Sequence, residues 1–195
     1  MRRTGFTLVE FVVVVAIIGI TAAVLFPVFQ RPTHHGYERR GRCRSNLKQI
    51  ALGLKIYVQD YNDKFPPVAV ARSGYWAGSI QPYIQSWQIF QCPTAPNQKP
   101  KTTDYFYNAR LAQIEEKNLD FLPQIVLAGE GNDDSPTNYA LSTLPEAWRH
   151  REKSPVRRHL DGANYAFADG HVKWLQPEKV SAKAPANGVY TLAIR

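Results

Sequence analysis

The sequence predicts an α+β fold in which a long N-terminal helix precedes a second helix packed on an antiparallel β-sheet. An unbroken apolar run at residues 6–26 indicates the first helix. At residues 47–61 apolar side chains recur every three or four positions, which is the period of an amphipathic helix. The segment 165–174 places apolar residues on both sides of an Asp-Gly pair, which indicates a β-hairpin.

The apolar run is long enough to cross a membrane. It contains 21 residues and a single charge, Glu10. As a helix that rises ~1.5 Å per residue it is ~31 Å long, about the thickness of a bilayer core. A carboxylate inside a span costs roughly 3 kcal/mol, and less near an end. We therefore predict that residues 6–29 span a membrane and that Glu10 has a functional partner.

The residues before this run differ from an ordinary secretory signal, in which the cleavage site follows the apolar region. Here Gly5 precedes the run, after only Met-Arg-Arg-Thr. The pattern Gly-Phe-Thr-Leu-Val-Glu at residues 5–10 resembles the class III signal of type IV pilins and type II secretion pseudopilins. Phe11 stands where Leu is usual, and the leader is short. The alternative is a plain signal anchor.

The resemblance implies a processing and assembly pathway. A prepilin peptidase/methyltransferase would cleave after Gly5 and methylate the new amino group of Phe6. The carboxylate of Glu10 would then pair with the Phe6 amine of a neighbouring subunit, and this pairing would set the register between helices. The implied partners are other pilin-like subunits, in a homo- or hetero-filament, and an assembly platform in the inner membrane. The chain would be a single-pass protein of that membrane, with an extracytoplasmic C-terminal head.

Three later motifs extend the resemblance along the chain. They are Cys-x-Ser-Asn-Leu-Lys-Gln from Cys43, Ile-Phe-x-Cys-Pro around Cys92, and His159-x9-Asp169-Gly170. Together they resemble a large bacterial pilin-like family, which implies a pilin-like fold. The expected organisation is a leader at 1–5, a transmembrane and assembly helix at 6–29, a juxtamembrane and amphipathic helix at 30–62, and a β-rich head at 63–195.

The Asp169-Gly170 pair predicts a two-residue hairpin turn. Ala168 would then face His171, and Tyr165 would face Trp174. The larger apolar side chains of both strands would share one face and cover the amphipathic helix from Leu47 to Tyr61. Further along the head the sequence predicts a turn at 161–162, strands at 105–111, 124–130 and 189–194, a short helix at 79–85 and a loop at 131–136.

Four residues near the C-terminus have metal-binding chemistry: His159, Asp161, Asp169 and His171. They are weak candidates, because Asp before Gly is turn chemistry and a His at a strand end commonly bonds backbone groups. The sequence contains no phosphate-binding glycine loop and no nucleophile elbow. We therefore expect no metal, no cofactor and no enzymatic activity.

Cys43 and Cys92 are the only cysteines. In an extracytoplasmic head they would form a disulfide or remain as two buried thiols, and their spacing alone does not decide between these states. We favour the disulfide, which would close a large loop.

The formal net charge of +8 is concentrated in two basic groups. One follows the span (Arg31, Arg39, Arg40, Arg42, Arg44, Lys48), and the other lies at Arg149, Arg151, Lys153, Arg157 and Arg158. Such groups contact anionic lipid or bind nucleic acid, and we expect lipid. The positive-inside rule alone would place the first group in the cytoplasm, against the pilin-like topology.

The function expected from these features is that of a structural subunit in a type II secretion or type IV pilus-like filament. The alternative is a membrane-anchored extracytoplasmic binding protein that uses the signal only for delivery. An anchored metalloenzyme is a third class.

Replacing Gly5 with a bulky residue, as in Gly5→Leu, should leave an uncleaved precursor, because the peptidase must accept a small side chain before Phe6. Mass spectrometry of the membrane protein measures this directly. The wild-type chain should begin at Phe6 and the variant at its original N-terminus. Wild-type protein that still begins at Met1 or Arg2 would contradict the class III signal.

Overall fold

The first compact unit contains one apolar helix. A computed structural model describes residues 7–29, 35–70, 74–95 and 99–194, and it divides the chain into the units Met1–His34 and His35–Arg195. In the first unit, α1 (Leu8–Phe29) is a single helix. Its segment Leu8–Phe26 has a mean hydropathy of 2.8, and none of it is buried. The predicted N-terminal apolar helix is confirmed.

The second unit combines three helices with nine strands among the described residues. The helices are α2 (His35–Asp60), α3 (Trp76–Ile84) and α4 (Glu146–His150). The strands are β1 (Ala69–Val70), β2 (Gly74–Tyr75), β3 (Thr102–Asn108), β4 (Val126–Pro136), β5 (Ala140–Leu141), β6 (Ala163–Phe167), β7 (Val172–Leu175), β8 (Val180–Ser181) and β9 (Tyr190–Thr191).

The main sheet has the order β5-β3-β4-β6-β7. The four long strands β3, β4, β6 and β7 pair antiparallel with one another in that order, and the edge strand β5 pairs parallel with β3. Helices and an antiparallel-dominated sheet in one unit confirm the α+β prediction. Two short sheets accompany it: β1 pairs antiparallel with β2, and β8 pairs parallel with β9. The C-terminal segment predicted as an edge strand therefore belongs to a small separate sheet.

Helix α2 buries the face that the sequence period predicts. Cys43, Leu47, Ile50, Ala51, Leu54 and Val58 are all fully buried. The helix ends at Asp60, where the chain turns through positive φ angles of 54° at Asn62 and 58° at Asp63. Tyr61 was expected on the buried face, but it lies beyond the helix end, is 52% exposed and stacks on Tyr57. That part of the prediction is wrong.

The hairpin of β6 and β7 turns through three residues, not two. The N–H of Phe167 donates to the carbonyl of His171 (2.9 Å), and Gly170 adopts a φ of +88°. The carboxylate of Asp169 accepts the N–H of His171 (3.0 Å), which stabilises this longer turn. A turn closed by a left-handed glycine is the usual three-residue hairpin. The predicted register is therefore wrong by one residue.

The changed register alters which residues share a face. Tyr165 now lies opposite Lys173, and Ala166 lies opposite Val172. The face of β6 towards α2 carries Ala166, whereas Tyr165 and Phe167 belong to a second core on the other face of the sheet. Both faces of β6 are buried, so alternation of polar and apolar residues could not show which face meets the helix.

The structure also differs from the sequence prediction at the loop expected at 131–136 and the turn expected at 161–162. The loop expected at 131–136 continues β4, where Thr103 pairs with Ser135 across an irregular stretch of the ladder. The turn expected at 161–162 falls one residue earlier, with positive φ at Leu160 and Asp161. The N–H of His159 consequently donates to the carbonyl of Gly162 (3.0 Å).

Gly129 marks the tightest contact in the centre of the sheet. A Cβ at this position would lie 2.7 Å from Phe106 and 2.8 Å from Tyr165. Gly129→Ala should therefore lower the free energy of unfolding by ~1–3 kcal/mol through overpacking. Gly41→Ala is the matched control: its Cβ meets nothing within 4 Å on α2, and it should gain up to ~1 kcal/mol of helix propensity. Denaturant midpoints of the full chain in detergent measure both, and an unchanged midpoint for Gly129→Ala would contradict this packing.

Candidate functional site

The N-terminus of α1 forms a capping box between Thr7 and Glu10. The carboxylate oxygen Oε2 of Glu10 accepts the N–H of Thr7 (2.8 Å) and its hydroxyl (2.7 Å). In return, the N–H of Glu10 donates to Oγ1 of Thr7 (3.3 Å). This reciprocal Thr-x-x-Glu arrangement satisfies free N–H groups of the first helical turn. The Thr-x-x-Glu spacing directly before an apolar run is the sequence signal for this cap.

The other predicted assembly and processing residues, Gly5 and Phe6, lie outside the described residues. The pairing of Glu10 with a Phe6 amine therefore remains a prediction. The exposed surface of α1 around it is uniformly apolar, apart from Thr7, Glu10, Gly19 and Thr21. Thr21 directs its hydroxyl to the carbonyls of Ile17 and Ile18. The helix thus satisfies its own polar side chains locally.

In the second unit, Cys43 and Cys92 form a disulfide, as predicted. Cys43 lies on α2, and Cys92 follows a short 3-10 helix at Trp87–Phe90. Their Cα atoms are 5.3 Å apart and 49 residues apart in sequence. Closing a loop of that length contributes ~4 kcal/mol in the chain-entropy model. The bridge ties the start of the buried helix face to the segment before β3.

A buried carboxylate and a buried imidazole lie beside this disulfide. Oε1 of Glu130 is 3.1 Å from Nε2 of His159, and the two side chains are 0% and 1% exposed. The same nitrogen lies 3.5 Å from Sγ of Cys92. Glu130 comes from β4, whereas the turn at Leu160–Asp161 positions His159. The contact is an ion pair when the imidazole is protonated and a hydrogen bond when it is neutral.

Neighbouring polar groups hold Glu130 in place. Asn164 donates its backbone N–H to Oε2 (3.0 Å) and its side-chain amide to Oε1 (2.7 Å). This is possible because β4 and β6 are neighbours, with Gly129 opposite Tyr165. Tyr105 is also close: burial, and then the negative charge of Glu130, raise the pKa of its phenol well above the ordinary value. We name Cys43, Cys92, Glu130, His159 and Asn164 the buried polar cluster.

A second buried carboxylate adjoins the cluster. Asp104 accepts the backbone N–H of Cys92 (2.7 Å) and that of Asp134 (2.8 Å). Burial raises the pKa of Asp104 above its ordinary value, although these two hydrogen bonds and the charge of Arg158 act in the opposite direction. Asp104 thus fixes the backbone beside Cys92 to the irregular part of β4.

The residues of the His159-x9-Asp169-Gly170 motif lie in two different places and do not form one site. His159 belongs to the buried polar cluster, and its carbonyl accepts the indole N–H of Trp174 (2.7 Å). Asp169 and Gly170 build the hairpin turn, where Nδ1 of His171 lies 2.6 Å from Asp169. The carbonyl of Gly170 accepts the ammonium of Lys48 on α2 (2.6 Å). Through this hydrogen bond, the turn at Asp169 and Gly170 holds the β6–β7 hairpin against α2.

The predicted metal candidates are not brought together in the part of the chain that the structure describes. Asp161 pairs with Arg157, and Asp169 pairs with His171. His159 instead lies with Cys43, Cys92 and Glu130, the one group of three or more potential ligands found there. Sequence reasoning missed Glu130 and Asn164. The available signal was a lone polar residue inside an apolar strand, which requires a buried partner.

Three members of the second basic group lie beside carboxylates. Arg157 pairs with Asp161 and Glu178, and Arg158 pairs with Asp133. Arg149 lies 3.5 Å from Glu146. These pairs reduce the positive charge that this surface could present to a nucleic acid.

Comparison with known proteins gives one match. Residues 1–26 match the family model described as the prokaryotic N-terminal methylation motif. No curated protein and no solved structure matches the chain. The motif supports a type IV pilin-like or pseudopilin protein, and a membrane anchor fits the apolar helix that follows it. Proteins with this motif are typically structural and are processed by a prepilin peptidase.

His159→Ala should lower the free energy of unfolding by ~3–5 kcal/mol, because it leaves Glu130 buried without its imidazole partner. His150→Ala is the control, since His150 is 73% exposed in its pair with Glu146 and should cost at most ~1 kcal/mol. The double variant Glu130→Leu/His159→Leu should lose less stability than the sum of the losses caused by Glu130→Leu and His159→Leu separately. Denaturant unfolding of the oxidised full chain decides this, and equal midpoints for His159→Ala and His150→Ala would refute the buried pair.

Proposed function

We propose that this chain is a pilin-like structural subunit that assembles into a type II secretion or type IV pilus-like filament. In this proposal, a prepilin peptidase/methyltransferase cleaves after Gly5 and methylates Phe6, and the inner-membrane assembly platform then incorporates the subunit. The observation that carries the proposal is the methylation motif at residues 1–26, which continues into an exposed apolar helix with a single carboxylate in its first turn.

The geometry of Glu10 supports an assembly role. The capping box holds the carboxylate at the start of α1, where both hydrogen bonds from Thr7 end on Oε2. Neutral donors satisfy hydrogen-bonding capacity but leave the negative charge of Glu10 uncompensated. A cationic amine one turn away, on Phe6 of an adjacent subunit, would compensate that charge in an apolar bundle. The capping box would then orient the carboxylate for the incoming amine.

The exposed surface of α1 suits a helical bundle. Apolar side chains such as Phe11, Val12 and Ile17 are each more than half exposed, and at 3.6 residues per turn they point in different directions around the helix. A helix that is apolar on all sides packs in lipid or among like helices. The subunit can therefore move from the membrane into a filament core without exposing a polar stripe.

The described part of the head favours a structural role. Its one group of potential metal ligands is completely buried, so a substrate would not reach it in this conformation. The alternative, a membrane-anchored binding protein that uses the signal only for delivery, predicts a dispensable Glu10 once the head is exported.

Glu10→Val should leave membrane insertion intact or improved, because the span becomes uniformly apolar, and it should abolish incorporation into filaments. Glu10→Gln keeps shape and hydrogen bonding but loses the charge, so incorporation should be reduced or misregistered. Thr7→Val is the matched control, because it removes the side-chain cap, worth ~1 kcal/mol, and leaves the carboxylate. The measurement is filament or complex incorporation divided by membrane level.

The comparison separates the two roles of Glu10. If Thr7→Val assembles far better than Glu10→Val, the charge itself is required, as the proposal demands. Equal defects would assign Glu10 to helix capping alone. Normal incorporation of Glu10→Val would remove the assembly role and favour the delivery-only alternative.

A further inference from the structure

Four side chains that can bind a metal converge in the interior of the second unit. They are Cys43, Cys92, Glu130 and His159, all buried, and their donor atoms lie within 4.8 Å of one another. Two sulfurs, an imidazole nitrogen and a carboxylate oxygen are ligand types that zinc accepts in four-coordinate tetrahedral sites. The four residues come from α2, the segment before β3, β4 and the turn before β6, so the convergence depends on tertiary structure.

Two separations outside the disulfide are close to the edges of a zinc tetrahedron. Zinc–ligand bonds of ~2.0–2.3 Å place neighbouring nitrogen, oxygen and sulfur ligands ~3.3–3.8 Å apart. Nε2 of His159 lies 3.5 Å from Sγ of Cys92 and, slightly closer than this range, 3.1 Å from Oε1 of Glu130. The two sulfurs are closer than a tetrahedron requires because they are covalently bonded. Reduction removes that restraint.

We propose that the dithiol form of this chain binds one Zn²⁺ ion through Cys43, Cys92, Glu130 and His159. The disulfide and the zinc site are then alternative states of the same residues. A phosphine reductant gives two electrons to the S–S bond and leaves as its oxide with an oxygen from water, and the sulfurs take up two protons. Zinc binding releases these two protons as two zinc–thiolate bonds form, with no change in the oxidation state of the metal.

Groups around the site already hold its ligands in position. Ligating carboxylates and imidazoles in metal sites are oriented by hydrogen bonds from surrounding residues. Asn164 donates to both oxygens of Glu130. The backbone of His159 is fixed by bonds with Gly162 and Trp174. The carboxylate of Glu130 and the backbone of His159 are therefore already held in place in the disulfide form.

One nearby cation can offset part of the charge of the metal-bound state. Two thiolates and Glu130 carry one more negative charge than Zn²⁺ neutralises. The guanidinium of Arg158, which also pairs with Asp133, donates to the carbonyl of Gly131 next to Glu130 (2.8 Å). A zinc ion would join α2 to the segment before β3, as the disulfide does, and would add β4 through Glu130, so α2 and that segment stay joined in either redox state.

The test uses the full chain in detergent, prepared under anaerobic conditions in oxidised and phosphine-reduced forms. Zn²⁺ alone is added, and bound metal is measured by elemental analysis after desalting. The reduced chain should bind one equivalent and the oxidised chain none. Co²⁺ in place of Zn²⁺ should give the visible bands and thiolate charge-transfer absorption of a tetrahedral sulfur-containing site. Bound zinc should also protect both thiols from alkylation.

Substitutions identify the ligands. Glu130→Gln and His159→Gln should each weaken zinc binding by at least about tenfold. Glu146→Gln and His150→Ala, which alter an exposed Glu-His pair, should leave binding unchanged. If a ligand variant fails to fold, the stoichiometry of the reduced wild-type chain still decides the proposal.

Three outcomes would overturn the proposal. One is a reduced chain that keeps its circular dichroism spectrum and binds no zinc. Another is equal binding by the oxidised and reduced forms. The third is a chain that unfolds on reduction and is not restored by zinc, whereas recovery with one equivalent supports it. None of these readouts involves filament assembly, so this proposal and the proposed function can fail independently.

Discussion

The second unit depends on keeping a buried carboxylate satisfied. Glu130 is completely buried, and its partners His159 and Asn164 come from outside its own strand. The Cys43–Cys92 bridge lies against the same imidazole. An unpaired buried charge costs several kcal/mol. The helix, the strand pair and the turn before β6 must therefore all be in place before the full set of contacts in the buried polar cluster forms, which couples these elements to one another.

Side-chain size is divided between the two faces of β6. Ala166 lies in the core shared with α2, together with Ala128 and Ala168, whereas Tyr165 and Phe167 lie in the core on the other face. Small side chains let the helix lie close to the sheet, where Lys48 reaches the hairpin turn. In the opposite core, the rings of Phe106 and Tyr165 occupy the space that the missing side chain of Gly129 leaves.

Local patterns predicted α1, α2, a helix overlapping α3 and the four long strands of the main sheet, because periodicity reports directly on which face of an element is buried. They did not predict α4 or the short strands β1, β2, β5 and β8. They failed where tertiary structure decides. The register at Asp169-Gly170 depended on a choice between two turns that the same residues allow, and burial of β6 on both faces removed the alternation that identifies an interior face. His159 was found from its motif, but its partners were not. Glu130 and Asn164 are 34 residues apart, and no local rule pairs them.

The two units satisfy buried or membrane-embedded carboxylates by different means. Glu130 has an imidazole that can carry a compensating proton, and so its site is complete within one chain. Glu10 has only the neutral donors of Thr7 among the described residues, and these satisfy its hydrogen bonds without cancelling its charge. A carboxylate that remains charged in an apolar environment gains most from a cation. In the proposed assembly, the capping box would hold Glu10 at the helix start for a neighbouring N-terminal amine, which would supply that cation, and the subunit would then reach its lowest energy only among its neighbours.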